Sequence, residues 1–332
     1  MKHAMRMRLN VRLFVISQGK RLHCKSRVRH SFPFTIILLC CLAGCQNQSP
    51  KEAPTTQVTT GPALRAPVLS ADFHQVWDDG SAEVSTYNTE RVRGGALRKG
   101  TATAVIRRAT FSEDDRVAEP EDIKTAQHGD LFPVMEMMWI ERYSIGAEPC
   151  DEMTTTVVAL SPVEGRAAGT ETKTDFSLQS WDGQLFHQLL FDATGIRSHQ
   201  YSFQKEGDEQ ITLSYPRDGV SADALWFWAR GMAAPLVDTG QQRIVDLLPR
   251  LRDVREQHQP LSWKKATLSR QSATQKNDQF TVREDDGGTE TFLVEKAPPF
   301  RVMHWQSSEG EHVELVSTGR MKSWDQATLQ RR

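Results

Sequence analysis

Cysteine, a serine with a lysine nearby, and paired histidines are the side chains in this sequence whose spacing could do chemistry. Cys40, Cys41 and Cys45 fall within six positions of the stretch TIILLCCLAGCQNQ, Thr35 to Gln48. A thiol there is a nucleophile able to form a stable thioether. Cys45 is the one that matters, because the small residues Ala43 and Gly44 before it leave the backbone open to a peptidase. Ser262-Trp263-Lys264-Lys265 has S-x-x-K spacing, in which lysine could deprotonate serine, but the companion S-D-N and K-T-G motifs are missing. No G-x-S-x-G, G-x-x-x-x-G-K-[ST], H-E-x-x-H or C-x-x-C occurs. His187 with His199, and His304 with His312, could meet across hairpins and bind a metal with a carboxylate as third ligand. Solvent-facing strand histidines are the plainer reading. Cys150 is followed by Asp151 and Glu152, whose charge disfavours a thiolate. The sequence thus assigns no catalytic residue, no metal ligand and no cofactor, and the expectation is a non-enzyme.

What precedes Cys45 explains its placing. Residues 1–44 carry nine Lys or Arg and no Asp or Glu, and end in an apolar run from Phe32 to Ala43. A basic region followed by about 7–15 apolar residues and small residues is the plan of a secretory signal peptide. A bilayer span needs about 20. Leu42-Ala43-Gly44-Cys45 resembles the lipobox of bacterial lipoproteins. That resemblance implies cleavage before Cys45, acylation of its sulfur and new amino terminus, and anchoring by two or three chains, one chain alone being marginal. It also implies the outer membrane, because Gln46 stands where Asp would retain such a protein in the inner one. The domain would then face the periplasm or the cell surface.

Past residue 44, 32 Lys or Arg remain against 42 Asp or Glu, a net charge near −10. Nucleic acid is excluded as a partner, since it needs clustered basic residues. The stretch Gln46 to Pro67 has four prolines and no aromatic residue, which suits a disordered tether over 45–70. Its root-mean-square reach is about 25 Å for 22 residues. Cys150 is the one cysteine beyond Cys45, so no internal disulfide is expected in the remaining domain, 71–332.

That domain must position any site on strands. Alternation and turn residues predict strands at Ala82–Arg93, Thr101–Arg108, Val134–Ile145, Met153–Leu160, Lys173–Trp181, Gln184–Phe191, Ile196–Phe203 and Gln210–Tyr215. Further strands are expected at Phe280–Glu284, Thr289–Glu295, Arg301–Gln306 and His312–Met321. Turns are expected at Gly94-Gly95, at Asp182-Gly183 and at Asp285 to Gly288. Short loops make neighbours antiparallel. A helix is read over Gly219–Met232, capped by Ser221 and closed by Gly231, with Leu225, Trp228, Ala229 and Met232 on one face. A second helical patch is read at Asp246–Gln257, limited by Pro249. The expected fold is mainly β: an antiparallel meander forming a curved sheet or half-barrel, one face plugged by the helix. Glu83, Glu136 and Glu141 lie in strand stretches where alternation could point them inward, and the solvent face is the expectation for each.

Trp77 to Tyr87 (WDDGSAEVSTY) and Ser221 to Gly231 (SADALWFWARG) resemble segments of an uncharacterised family of envelope lipoproteins of planctomycete-type bacteria, over most of residues 71–322. The order of elements is loosely similar to periplasmic half-barrel domains of unknown function. Met135, Met137, Trp139, Leu225, Trp226 and Trp228 are large, adaptable side chains that could line a cleft for a lipid or other hydrophobic molecule. A packed core has the same composition. The readings carried forward are an envelope protein that binds a hydrophobic ligand or supports envelope assembly, a structural or protein-interaction module of the envelope, and a hydrolase of glycans or lipids. Cys45→Ser is expected to abolish acyl labelling and leave the precursor uncleaved. A variant that is processed and held on membranes like the unaltered chain contradicts the anchor.

Overall fold

Two glycines set the first chain reversal. Gly94 and Gly95 both have positive φ, +56° and +72°, between Arg93 and Ala96, which pair with each other. A two-residue hairpin loop of this kind needs left-handed backbone at both positions, and glycine supplies it without a Cβ clash. The computed structural model describes residues 69–119, 130–181, 183–203 and 207–322. The described residues fall in one compact unit. The signal segment, Cys45 and nearly all of the tether lie outside the described residues.

In chain order the described elements are α1 (Ala71–Trp77), β1 (Ser81–Arg93), β2 (Ala96–Ser112), β3 (Ala118–Glu119), β4 (Leu131–Ile145), β5 (Glu148–Ala159), β6 (Glu171–Ser180), β7 (Gly183–Phe191), β8 (Gly195–Ser202), β9 (Asp208–Ser214) and β10 (Gly219–Ser221). A 3-10 turn (Ala222–Ala224) leads into α2 (Leu225–Ala229), followed by β11 (Gln242–Leu248), α3 (Leu251–Glu256), β12 (Lys264–Ser272), β13 (Asn277–Glu284), β14 (Thr289–Glu295), β15 (Val302–Ser307) and β16 (His312–Lys322). The strands form one sheet in the order β10-β11-β12-β13-β14-β15-β16-β1-β2-β4-β5-β6-β7-β8-β9, with β3 attached to β2. All pairings are antiparallel except β10 with β11.

This order corrects the expected curved sheet or half-barrel. The sheet is open: among the described residues no pairing joins β9 to β10, the two ends of the path. Local turn signals state which strands are neighbours. Closure depends instead on tilt and stagger summed over the whole sheet, which no hairpin records. The helices are also shorter than expected. Gly219–Ser221 is strand and α2 has five residues, because Asp223 and the tight turn around it occupy the intended first helical turn. In the 246–257 stretch β11 runs to Leu248, and α3 begins only after Pro249, which lacks the N–H a helix interior requires. No element was expected over Ala71–Trp77, where α1 forms. Ser70 caps it by accepting the Phe73 N–H at 3.2 Å.

The main core gathers on α2. Trp226 meets Trp139 of β4 at 4.9 Å, Tyr87 of β1 at 5.6 Å and Phe292 of β14 at 5.8 Å between ring centroids. Trp228 packs edge-on against Phe280 of β13 and donates its indole N–H to the Pro235 carbonyl at 2.9 Å. Burying each such side chain contributes about 1.5–3 kcal/mol. A second cluster joins α3 to β6–β8 through Leu251, Phe176, Leu189 and Phe191. A third pairs Phe111 with Phe132.

Arg230, at the end of α2, carries its charge into this core. Its guanidinium donates to both oxygens of Glu83 at 2.9 and 2.8 Å and to the Pro299 carbonyl at 2.8 Å. It also lies 5.5 Å from the Trp77 ring of α1. Arg230→Ala leaves Glu83 buried without a counter-charge and is expected to cost about 3–5 kcal/mol. The double change Arg230→Met with Glu83→Leu recovers most of that. Urea midpoints measure both, and equal loss in the single and double variants contradicts the pairing.

Candidate functional site

Period-two alternation places ionisable groups inside. On β4, Met135, Met137 and Trp139 share the buried face with Glu141 and Tyr143, so one strand face runs from apolar to ionic. On β1 the same face carries Glu83, Tyr87, Arg91 and Arg93. Glu83 and Glu141, expected on the solvent face, are therefore buried, at 1 and 2 % exposure, and Glu136, on the opposite face of β4, is buried at 9 % against Arg107 at 2.6 Å. Counting in twos from Tyr87 to Glu83, or from Trp139 to Glu141, gives the inward reading, which was set below the general preference of carboxylates for solvent.

Four arginines and five carboxylates neutralise one another there. Arg93 holds Glu152 bidentately at 3.0 and 2.9 Å, and Tyr143 donates its hydroxyl to the same carboxylate at 2.7 Å. Arg91 lies 3.2 Å from Glu141 and stacks 4.7 Å from the Trp305 ring. Arg252 reaches Asp253 at 2.6 Å and Glu311 at 3.4 Å. Arg250 grips both oxygens of Glu290 at 2.5 Å, and Trp305 donates to Glu290 at 2.9 Å. Burial, reinforced by Arg252, brings Arg91 down to about 10. Burial works to raise Glu141, but Arg91 and Arg93 outweigh it and hold the carboxylate below its ordinary range.

Six residues were expected to line a ligand cleft. Met135, Met137, Trp139, Leu225, Trp226 and Trp228 all stand in the main core, at 0, 4, 8, 0, 8 and 1 % exposure. The cavity beside Met137, Trp139 and Trp226 measures about 60 Å³ and is shared with Arg91, Glu141 and Arg252. That is room for about two waters at roughly 30 Å³ each. Larger spaces open elsewhere. An apolar cleft of about 270 Å³ lies on the other side of α2, against Trp228 and Phe280. A polar one of about 500 Å³ lies over Trp305, Arg250 and Glu290.

The remaining candidates resolve as follows. Lys265 is 2.6 Å from Asp246, and Lys264 is 2.9 Å from Asp286, so both lysines of the S-x-x-K stretch are ion-paired and neither is aimed as a base at Ser262. Cys150 is buried, and burial together with Glu148 pushes its thiol up. His187 pairs with Gln200 and Gln188 with His199, so the two imidazoles project from opposite faces. His187 is buried, neutral after burial and Arg255 lower it to about 4, and sits 2.8 Å from Ser198 Oγ. Its Nδ1 has no hydrogen-bond partner among the described residues, so this pair lacks the orienting group of a triad. His304 and His312 do stack, with ring centroids 6.4 Å apart. Among the described residues no group of three or more His, Cys, Asp or Glu is placed to hold a metal ion, and no helix is long and apolar enough to cross a membrane.

A buried carboxyl pair went unread in the sequence. Glu171 of β6 is raised to about 8 by burial and by the nearby Asp223, and Thr174 donates its hydroxyl to it. Asp223 is raised to about 6 by burial, although the Leu251 N–H at the start of α3 donates to it at 3.0 Å. Glu171 is thus protonated at neutral pH and acts as a hydrogen-bonding group inside the sheet.

The outer surface carries a second kind of feature. Trp181, Tyr201 and Phe203 are 70, 52 and 76 % exposed at one end of the β6–β8 hairpins, beside β9. β9 pairs with β8 alone among the described residues and is exposed over nearly its whole length.

No family model matches the chain, and no curated protein matches it. Two solved structures are distantly similar. One is a DUF1089 family protein from Pseudomonas aeruginosa, 12 % identical over 51 % of this chain and 82 % of that one, with a TM-score of 0.32. The other is a beta-barrel-like protein of domain of unknown function DUF1849 from Brucella abortus, 10 % identical over 78 % of this chain and 100 % of that one, with a TM-score of 0.39.

Because Glu171 binds its proton more tightly folded than unfolded, its contribution to stability falls as pH rises from about 4.5 to about 8. Glu171→Gln is expected to be more stable than the unaltered chain at pH 9, on the order of 2–4 kcal/mol, and equal to it near pH 4. Chemical unfolding at the two pH values measures the gap. A gap of the same size at both contradicts the assignment.

Proposed function

We propose that the chain is a membrane-tethered envelope protein whose folded domain recruits a protein partner at the β9 edge. The observation that carries this reading is β9 itself, Asp208–Ser214, unpaired on its outer side among the described residues and flanked by exposed Trp181, Tyr201 and Phe203. A free strand edge offers a row of backbone donors and acceptors to an added strand, while aromatic side chains supply the apolar contact that fixes its register. Asp208 and Glu209 open the strand and Ile211 to Leu213 follow. The segment that fits is extended, basic at one end and apolar at the other. A tether from Cys45, with a root-mean-square reach of about 25 Å, keeps the domain near the membrane, which limits partners to envelope proteins.

The interior supports the same reading. Its charges are spent on one another, and the space beside Trp226 is too small for an acyl chain.

Photo-crosslinking from position 212 in intact cells is expected to give one dominant adduct with another envelope protein. Trp181→Ser with Phe203→Ser, and separately Ile211→Lys, should reduce it at least fivefold while shifting stability by no more than about 0.5 kcal/mol, as exposed positions do. Adducts spread over many proteins, or unchanged in these variants, contradict strand addition.

A further inference from the structure

The cleft beside Trp228 has a chemistry of its own. Its walls are Phe73 of α1, Trp228 of α2, Met232, Phe280 of β13, Val294 of β14 and Phe300. Its volume of about 270 Å³ stands at the small end of ligand sites, which run from about 300 Å³ upward. It holds roughly nine water-sized groups at about 30 Å³ each. A single chain of about eight carbons fits, and two chains do not.

The mouth supplies a sign. Arg230 is closed on Glu83 and Glu295 is closed on Arg301, at 2.6 and 2.8 Å. Arg270 and Lys296 share one carboxylate: Arg270 reaches Asp278 Oδ2 at 2.7 Å and Lys296 lies 3.5 Å from Oδ1. Asp278 is buried, whereas the side chains of Arg270 and Lys296 are each 36 % exposed. Two reachable cations against one buried anion leave one positive charge at the rim of an apolar cleft. Lys296 also donates to Ser272 Oγ at 2.7 Å and to the Thr274 carbonyl at 2.8 Å, which fixes the ammonium in place.

From this pairing of an apolar cleft with a surplus cation we infer that the cleft binds a single-chain anionic amphiphile, a medium-chain carboxylate. The tail packs against Trp228, Phe280 and Val294 along the cleft wall, and the carboxylate meets Lys296 and Arg270. The site is separate from the β9 edge, and its occupancy does not depend on the partner proposed there.

The test is photolabelling of the full chain in its membrane with a diazirine-bearing octanoate, followed by mapping of the labelled peptides. Saturable label on the peptides that carry Trp228, Phe280 and Val294 is expected. Octanoate in excess competes it away, and octyltrimethylammonium does not. Lys296→Glu, at a solvent-reachable position, should lower labelling at sub-saturating probe at least fivefold, and Leu236→Trp, which narrows the cleft, should lower it with the rim charge unchanged. Label spread over the surface, label competed equally by the cationic amphiphile, or label indifferent to Lys296→Glu overturns the inference.

Discussion

The Arg230 guanidinium has one place to go. It follows Trp226, Phe227 and Trp228 into the core on a five-residue helix, and its side chain has no exposure. A buried charge costs several kcal/mol unless it is paired and hydrogen-bonded. Glu83 answers it with both oxygens, and the Pro299 carbonyl takes a further N–H. Those contacts tie α2, β1 and the segment before β15 to one point, with the Trp77 ring of α1 against the same group. Elements far apart in sequence are thus held in register by one ion pair, and the aromatic packing around Trp226 follows from it.

The same logic governs the interior beyond Trp139. Four arginines and five carboxylates there bond to one another, and the cavity among them has room for about two waters. The surface adds features of another kind: an edge strand without a second neighbour among the described residues, exposed aromatic rings at one end, and a rim cation over an apolar cleft. Recognition fits this distribution of groups better than chemistry on a bound substrate.

Hairpin order was legible because turns are local. Gly94-Gly95 and the Asp285 to Gly288 turn stand where the sequence put them, and most strands from β1 to β9 fall where alternation predicted. At the expected Asp182-Gly183 turn, Gly183 pairs with Ser180 as the first residue of β7, and Asp182 lies outside the described residues. β11 and β12 escaped notice because Gln242 to Leu248 and Lys264 to Ser272 mix charge with short apolar spacing, and their pairing is supplied by neighbours. The open ends of the sheet were illegible for a different reason, since closure is a property of the whole ladder. At the candidate sites the six ligand-lining residues were found as large apolar side chains, but composition does not say whether such groups surround space or one another. The buried Glu83, Glu141 and Glu171 were hidden by the habit of sending carboxylates to solvent; strand period alone points them inward.

Hydrogen exchange across the chain, read in buffer and in the native envelope, weighs the central claim, an ion-paired interior carrying an open edge. In buffer the amides of β1 and β4 should exchange only through global unfolding, and those of Asp208–Ser214 should exchange orders of magnitude faster. In the envelope the β9 amides alone should gain protection. Slow exchange of β9 in the isolated chain, or no change there in the envelope, would contradict the account.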